Sequence, residues 1–269
     1  IVDTEPFSAT FFMFDQEVHM IDIKDHCRFR EIKMARPPFN ALSPELLAEI
    51  SAGITAAPAD GAEGVVLSGA EGIFTGGLDV PLLLGLDHEG MSAALEEFFG
   101  AMAALARSEI PVAAAVTGHS PAGGAVLTLF CDRRVMAEGP FSIGLNEVRI
   151  GLPMPSVIAD ALARVVGRRN ADALCMTGRL LEPEEALAVG LVDRVAPMDR
   201  VVPEAVEWCA ELTRLPTRAV RKTRRTVRRD LVSIIDDARA GDIEVLTREW
   251  FRPEVQAPLK ALAARLGKG

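Results

Sequence analysis

The sequence predicts an α/β fold on three observations. Apolar runs of strand length recur at GVVLSGA (64–70) and PVAAAV (111–116), each followed by a glycine-rich loop and then by helical periodicity. From Pro183 onward helical periodicity continues with no strand signal between the helices. No serine- or glycine-rich linker divides that tail from the alternating part, so it is expected to pack on its own core or on a neighbouring subunit. The expected divisions are residues 1–19 as a leader or extension, 20–200 as the core and 201–269 as a helical subdomain.

In chain order, residues 1–19 carry four acids and no Lys or Arg, which is wrong for a signal or transit peptide. The pair His19-Met20 looks like a junction ahead of a natural start, so the segment reads equally as an appended leader or an ordinary extension. CRFREIKM (27–34) alternates as a strand. RPPFNALSPELLAEISAGI then turns into a helix with Ser43 as N-cap and Pro44 at the first helical position. The 64–70 strand leads through FTGGLDV to a helix over 91–107. The 111–116 strand leads through the loop TGHSPAGG to a helix starting near Gly123. RRVMAEG suggests a strand, FSIGLNEV is a short connecting segment, and helices follow near 156–165 and 168–176. The tail comprises EPEEALAVG, VPEAVEWCAELTRL, TRAVRKTRRTVRRD, SIIDDARAGDIEVLTREWF and PEVQAPLKALAARL.

A chain of 269 residues can bury a substantial core. Its net charge of −9 argues against nucleic-acid and anionic-membrane partners, which need a basic surface. Cys27, Cys131, Cys175 and Cys209 lie far apart, with neither a C-x-x-C pair nor a histidine at zinc-site spacing. No disulfide scaffold and no metal site are therefore expected, and a reducing compartment fits. Every apolar run is interrupted by charge before the roughly 20 residues that a membrane span requires.

GHS after a buried strand suggests the nucleophile elbow of serine hydrolases, but Ala122 stands where the elbow needs glycine, and His19, His26, His88 and His119 all precede Ser120. What the segment offers instead is a strand running into Pro121-Ala122-Gly123-Gly124, where bare backbone meets a helix start. The N–H of Gly123 could donate to an oxygen that turns negative during reaction, and the N–H of Leu78 in FTGGLDV could supply a second donor. Each loop alone reads first as a tight strand-to-helix turn. Asp79, beside Gly76 and Gly77, is expected to cap its loop. The basic stretch 218–230 reads as a solvated or subunit-facing helix surface. His88 and His119 read as solvent-facing or satisfied in loops. Met91, Phe98 and Met102 read as core or as the wall of an acyl pocket.

Taken together, FTGGLDV, IPVAAAVTGHSPAGGAVLTLFCDRRVM, FSIGLNEVRIGLP, LLEPEEALAVGLVDRV and, near the start, RPPFNALSPELL resemble the crotonase (enoyl-CoA hydratase/isomerase) superfamily in order and spacing. The likeness runs from Asp22 to the end, and SPAGGAVL with IGLNEVRIG is most similar to the delta-3, delta-2-enoyl-CoA isomerases. The resemblance implies a spiral of β-β-α repeats with a helical C-terminal trimerisation region, and an acyl-CoA thioester as substrate. It also implies a homotrimer or dimer of trimers, and no cofactor beyond the coenzyme A that belongs to the substrate. It places the oxyanion donors on Leu78 and Gly123, with Gly76, Gly77, Asp79, Ala122, Gly124 and Val126 around the substrate.

The same resemblance separates reactions. Hydratases use two glutamates; the first position is Val126 here, and the second matches Glu147 in NEVRIG. Dienoyl-CoA isomerases need a further aspartate near Pro155, which is also missing. Glu147 alone would be read as an exposed loop charge, but in this block it is the expected acid/base of a one-glutamate 1,3-proton shift from 3-enoyl- to 2-enoyl-CoA, in fatty-acid oxidation. Val126, Ile143, Leu145 and Ile150 are expected to surround it and lift its pKa towards neutrality. Two alternatives stay open: hydration or thioester hydrolysis with water recruited by Glu138 or Asp79, and a non-catalytic acyl-CoA binder. The expected compartment is a bacterial cytoplasm, with mitochondrion or peroxisome as second choice.

Overall fold

A computed structural model describes residues 19–266, so the expected leader lies, apart from His19, outside the described residues. A hairpin opens the fold. Strand β1 (Ile21–His26) pairs antiparallel with β2 (Phe29–Met34), and Ser43 then caps α1 (Pro44–Ala56), its hydroxyl accepting from the Leu46 N–H at 3.3 Å. Three β-β-α units follow. The first is β3 (Gly64–Ser68), β4 (Gly72–Ile73), the short α2 (Val80–Leu83) and α3 (His88–Arg107). The second is β5 (Val112–Val116), β6 (Gly118–Pro121) and α4 (Gly123–Leu129). The third is β7 (Arg133–Ala137), β8 (Ile143–Gly144), a 3-10 turn (Glu147–Ile150) and α5 (Ser156–Val166). Next come α6 (Arg168–Thr177), α7 (Pro183–Ala188), β9 (Arg194–Ala196), α8 (Met198–Thr213), α9 (Thr217–Val227), α10 (Arg229–Trp250) and α11 (Pro253–Leu266).

Each unit gives its first strand to one sheet and its second to another. The large sheet has the order β1-β2-β3-β5-β7-β9 and is parallel beyond the β1/β2 hairpin; the small sheet is β4-β6-β8, also parallel. Strands β3 and β5 are buried along their whole length, as expected for central parallel strands covered on both faces. One face meets the main core, which includes α1, α3, Met91, Phe98 and Met102. The other meets α8, where Val201, Ala205 and Cys209 pack on Val66, Ala113 and Val135.

Four details differ from the expectations. TGHSPAGG is not all loop, because β6 occupies Gly118–Pro121. The tail contains a strand, β9, which extends the sheet beyond β7. Polar β1 also precedes the expected first strand; it lies at the sheet edge with most of its residues exposed, so it lacks an apolar face for sequence pattern to reveal. Finally, the 218–230 segment is not wholly a solvated or subunit-facing surface: Arg224 and Arg228 turn inward and are buried. Among the described residues, no helix is long and apolar enough to cross a membrane, and no group of three or more His, Cys, Asp or Glu is arranged to hold a metal ion.

Candidate active site

The small sheet positions the candidate groups. Beyond the C-terminal ends of its three parallel strands come the loop with Leu78, the turn into Gly123 and the 3-10 turn with Glu147, after β4, β6 and β8 respectively. Open α/β sheets bind ligands at this strand end, where successive loops converge.

Side chains and backbone fix the loop after β4. Buried Thr75 donates through Oγ1 to the Asn40 carbonyl at 2.6 Å and accepts from the Gly77 N–H at 3.1 Å. Gly76 N–H donates to the Phe39 carbonyl at 2.7 Å. Leu42 then bridges Leu78: its N–H donates to Gly77 O at 2.8 Å, and its carbonyl accepts from Asp79 N–H at 3.1 Å. Those bonds flank Leu78 and leave its own N–H without an acceptor among the described residues. Gly77 has φ +90°, which L side chains rarely adopt, so glycine lets the chain turn here.

Asp79 uses both carboxylate oxygens within the scaffold. Oδ1 accepts the Leu82 N–H at 3.1 Å as the N-cap of α2, and Oδ2 meets Arg36 Nη2 at 2.6 Å. Arg36 also donates to the Ala41 carbonyl at 3.0 Å. Nothing in the sequence pattern points to Arg36, because its partner is remote along the chain.

After β6, Ala122 takes the strained pair φ 47°, ψ −119°, held by its N–H donating to the Gly144 carbonyl of β8 at 2.8 Å. Gly123 then opens α4, and as a first-turn residue its N–H has no intrahelical acceptor. The two free amides are neighbours. A Cβ built on Gly123 would lie 3.5 Å from Leu78 N, and one on Gly77 would lie 3.6 Å from Gly123 N. Gly124 is needed for packing, since its Cβ would come within 2.7 Å of Thr75 Cγ2 and 2.8 Å of Ser120 Oγ. Ser120 is fully buried beneath this turn, whereas His119 faces away from it towards Ser142 (3.2 Å) and the edge of Phe141, so the pair does not form a nucleophile and base. Val126 is fully buried on α4.

Glu147 begins the 3-10 turn, which the left-handed Gly151 closes and the Leu152 N–H braces by donating to Glu147 O at 3.1 Å. The residue keeps some surface, but Oε2 is buried and has no hydrogen-bond partner among the described residues. Burial pushes its carboxyl up to about 7, partly offset by its own backbone N–H. Ile143 and Leu145 are buried in the main core and Ile150 is half-buried against it. Cys175 on α6 lies in the field of Glu147, and its thiol is raised first by burial, then by Glu147 and Asp172. Glu138 lies elsewhere, exposed after β7, with its N–H donating to Ala196 O at 2.8 Å. Helix α11 touches both halves of the site, packing against α2 and the 3-10 turn, while His88 stacks on Phe251 just ahead of it with ring centroids 4.0 Å apart.

The chain has relatives among known proteins in sequence and in fold. The family model for enoyl-CoA hydratase/isomerase matches residues 28–263. Human mitochondrial enoyl-CoA delta isomerase 1 is 31% identical over 241 residues, covering 87% of this chain and 79% of the relative. A probable enoyl-CoA hydratase from Rhizobium meliloti is 33% identical over 202 residues, covering 74% of this chain and 77% of the relative. The crystal structure of human mitochondrial delta3-delta2-enoyl-CoA isomerase superposes with a TM-score of 0.88 at 28% identity, covering 93% of this chain and 99% of that one.

Proposed function

This chain belongs to the enoyl-CoA hydratase/isomerase family and has the crotonase fold, and within that family we propose that it moves a 3-enoyl-CoA double bond to the 2 position with Glu147 as its acid/base. The observation that carries this reading is the contrast between two carboxylates at the strand ends. Asp79 is consumed by an ion pair and a helix cap, whereas Glu147 Oε2 is buried without a partner and its carboxyl titrates near neutrality. A base with a pKa near the working pH can both take and return a proton efficiently.

In the proposed reaction Glu147 takes a proton from C2 of the 3-enoyl thioester. The electrons left behind form a dienolate whose oxygen accepts hydrogen bonds from the Leu78 and Gly123 amides. The protonated Glu147 then delivers the proton to C4, leaving the double bond between C2 and C3, with the enzyme restored and no redox or metal step needed. Gly76, Gly77, Ala122, Gly124 and Val126 would form the walls and floor around the thioester, and Asp79 would hold the Leu78 loop. Val126 supports isomerisation over hydration, because a buried valine supplies no second acid to orient water. The human isomerase relative supports the same choice. The reading assigns the chain to oxidation of unsaturated fatty acyl groups, and proposes a homotrimer or dimer of trimers, which light scattering would measure.

The test is incubation with 3-hexenoyl-CoA and, separately, 2-hexenoyl-CoA, with products identified by chromatography and mass detection. Interconversion at unchanged mass, reduced about 10²- to 10⁴-fold in Glu147→Gln, is the expected result. A product heavier by one water would instead establish a hydratase, free coenzyme A a hydrolase, and tight binding without turnover a non-catalytic binder.

A further inference from the structure

No hydrogen bond to Oε2 holds the Glu147 carboxylate among the described residues, so its position depends on the 3-10 turn that presents it. That turn rests on the carboxyl end of α6. Arg149 Nε donates to the Gly178 carbonyl at 2.7 Å and to the Thr177 carbonyl at 3.2 Å. Gly178 closes α6 in the left-handed region at φ 59°, and a Cβ there would lie 2.9 Å from Val148 Cγ1 and 3.0 Å from Arg149 Cγ. Turn and helix end are therefore in direct contact. On the opposite flank a Cβ on Gly151 would meet the Glu254 carbonyl of α11 at 3.4 Å.

We propose that Arg149 is a positioning residue for Glu147: by fastening the turn to the end of α6, its guanidinium keeps the carboxylate out of water and aimed at the substrate. The inference rests on the acid/base role given to Glu147 above. A helix end leaves its last carbonyls without intrahelical partners, and a cationic donor there satisfies them while also favouring the dipole. What makes this cap more than local is its place two residues after the base. The charged and titratable groups on the elements packed against the turn are Arg168, Arg169, Asp172 and Cys175 on α6 and Glu254, Lys260 and Arg265 on α11, with Glu254 facing Arg252 at 3.6 Å. Burial, rather than any of these charges, raises the Glu147 carboxyl, so loosening the turn should hydrate it and lower its pKa.

The experiment compares Arg149→Met, which removes the donor, and Arg149→Lys, which keeps a donor and a charge, with the parent and Glu147→Gln. The full chain is used throughout, and kcat and kcat/KM for 3-hexenoyl-CoA are measured across pH. Arg149→Met is expected to lower kcat about tenfold with KM changed less than about twofold. The acid limb of kcat/KM should move down by about one pH unit, with Arg149→Lys recovering part of both effects. An unmoved limb in Arg149→Met, whatever its rate or melting temperature, would overturn the proposal and leave Arg149 as a cap of α6 alone. An upward shift would overturn it too, because the guanidinium would then act through its charge. Persistent isomerisation in Glu147→Gln would instead sink the base assignment itself, and is a separate outcome.

Discussion

At the residue scale, Glu147 and Asp79 show how surroundings separate two carboxylates, one given the proposed acid/base role and the other tied into the scaffold. Asp79 is held by Arg36 and the Leu82 N–H, whereas Glu147 Oε2 is buried with no hydrogen-bond partner among the described residues. The stability consequence has a definite sign. The Glu147 carboxyl is raised from 4.5 to about 7 in the folded chain, so between those values the native state binds more protons than the unfolded state. Stability therefore falls as pH rises through that window. Glu147→Gln removes this cost. We expect the variant to match the parent near pH 4 and to exceed it above pH 7 by on the order of 2 kcal/mol, read from urea unfolding at both pH values. A variant less stable than the parent at pH 8 would mean that the buried carboxylate is paired in solution. The proton-transfer rate should change in the opposite direction: parent kcat/KM should rise with pH to a plateau above about 7.

At the element scale, each of three short strands ends in one part of the candidate site, and the joints carry the geometry. Gly77 is the sharpest joint: its φ of +90° suits glycine, and an added Cβ would lie 3.3 Å from both Pro121 O and Ala122 Cβ. Gly77→Ala should therefore push the Leu78 and Gly123 amides apart. The expected loss is about 10²-fold or more in kcat, comparable to deleting one oxyanion donor, with about 1–2 kcal/mol lost in stability. Kinetics and urea titration check the two parts separately, and an unchanged kcat would show that the amides are not aligned through this turn. The units that hold these joints were unevenly legible in the sequence. Buried β3 and β5, the Ser43 cap and the helix start at Gly123 have local signals: continuous apolar runs, a capping side chain and paired glycines. Strands β4, β6 and β8 are two to four residues long and are defined only by pairing with each other. No residue in GHSP prefers a strand, so pattern could put Leu78 in a loop and Gly123 at a helix start and suggest both amides as donors, but could not show which strands bring them together. The family resemblance implies the same two donors.

At the scale of the whole molecule, the helical tail is fastened to the core by a buried charge cluster that the basic run in the sequence disguised. Asp132, just after α4, meets Arg224 Nε at 2.8 Å and Arg228 Nη1 at 2.7 Å, and Oδ2 also accepts the Val112 N–H at 2.8 Å. The two guanidiniums then serve the closing carbonyls of α3 and α4. Arg224 reaches Leu105 O at 3.0 Å as well as Ser108 O; Arg228 reaches Ala106 O at 3.3 Å and also Phe130 O. A helix-period run of arginines does not reveal which two point inward, because their partners are about a hundred residues away. Burial, helped by the nearby Arg224 and Arg164 cations, pulls the Arg228 guanidinium below its usual value, while Asp132 opposes that shift. Asp132→Ala should leave two buried cations and one buried N–H uncompensated, at a cost of about 3–5 kcal/mol in urea unfolding. Replacing Asp132, Arg224 and Arg228 together by Leu, Met and Met decides what the cluster is for. A simple buried triad would regain most of the loss on apolar replacement. Here the arginines also satisfy the helix-end carbonyls, so the triple variant should stay at least about 2 kcal/mol below the parent, with those acceptors left bare. Full recovery would show that the charges only offset one another and that the tail is held by apolar packing.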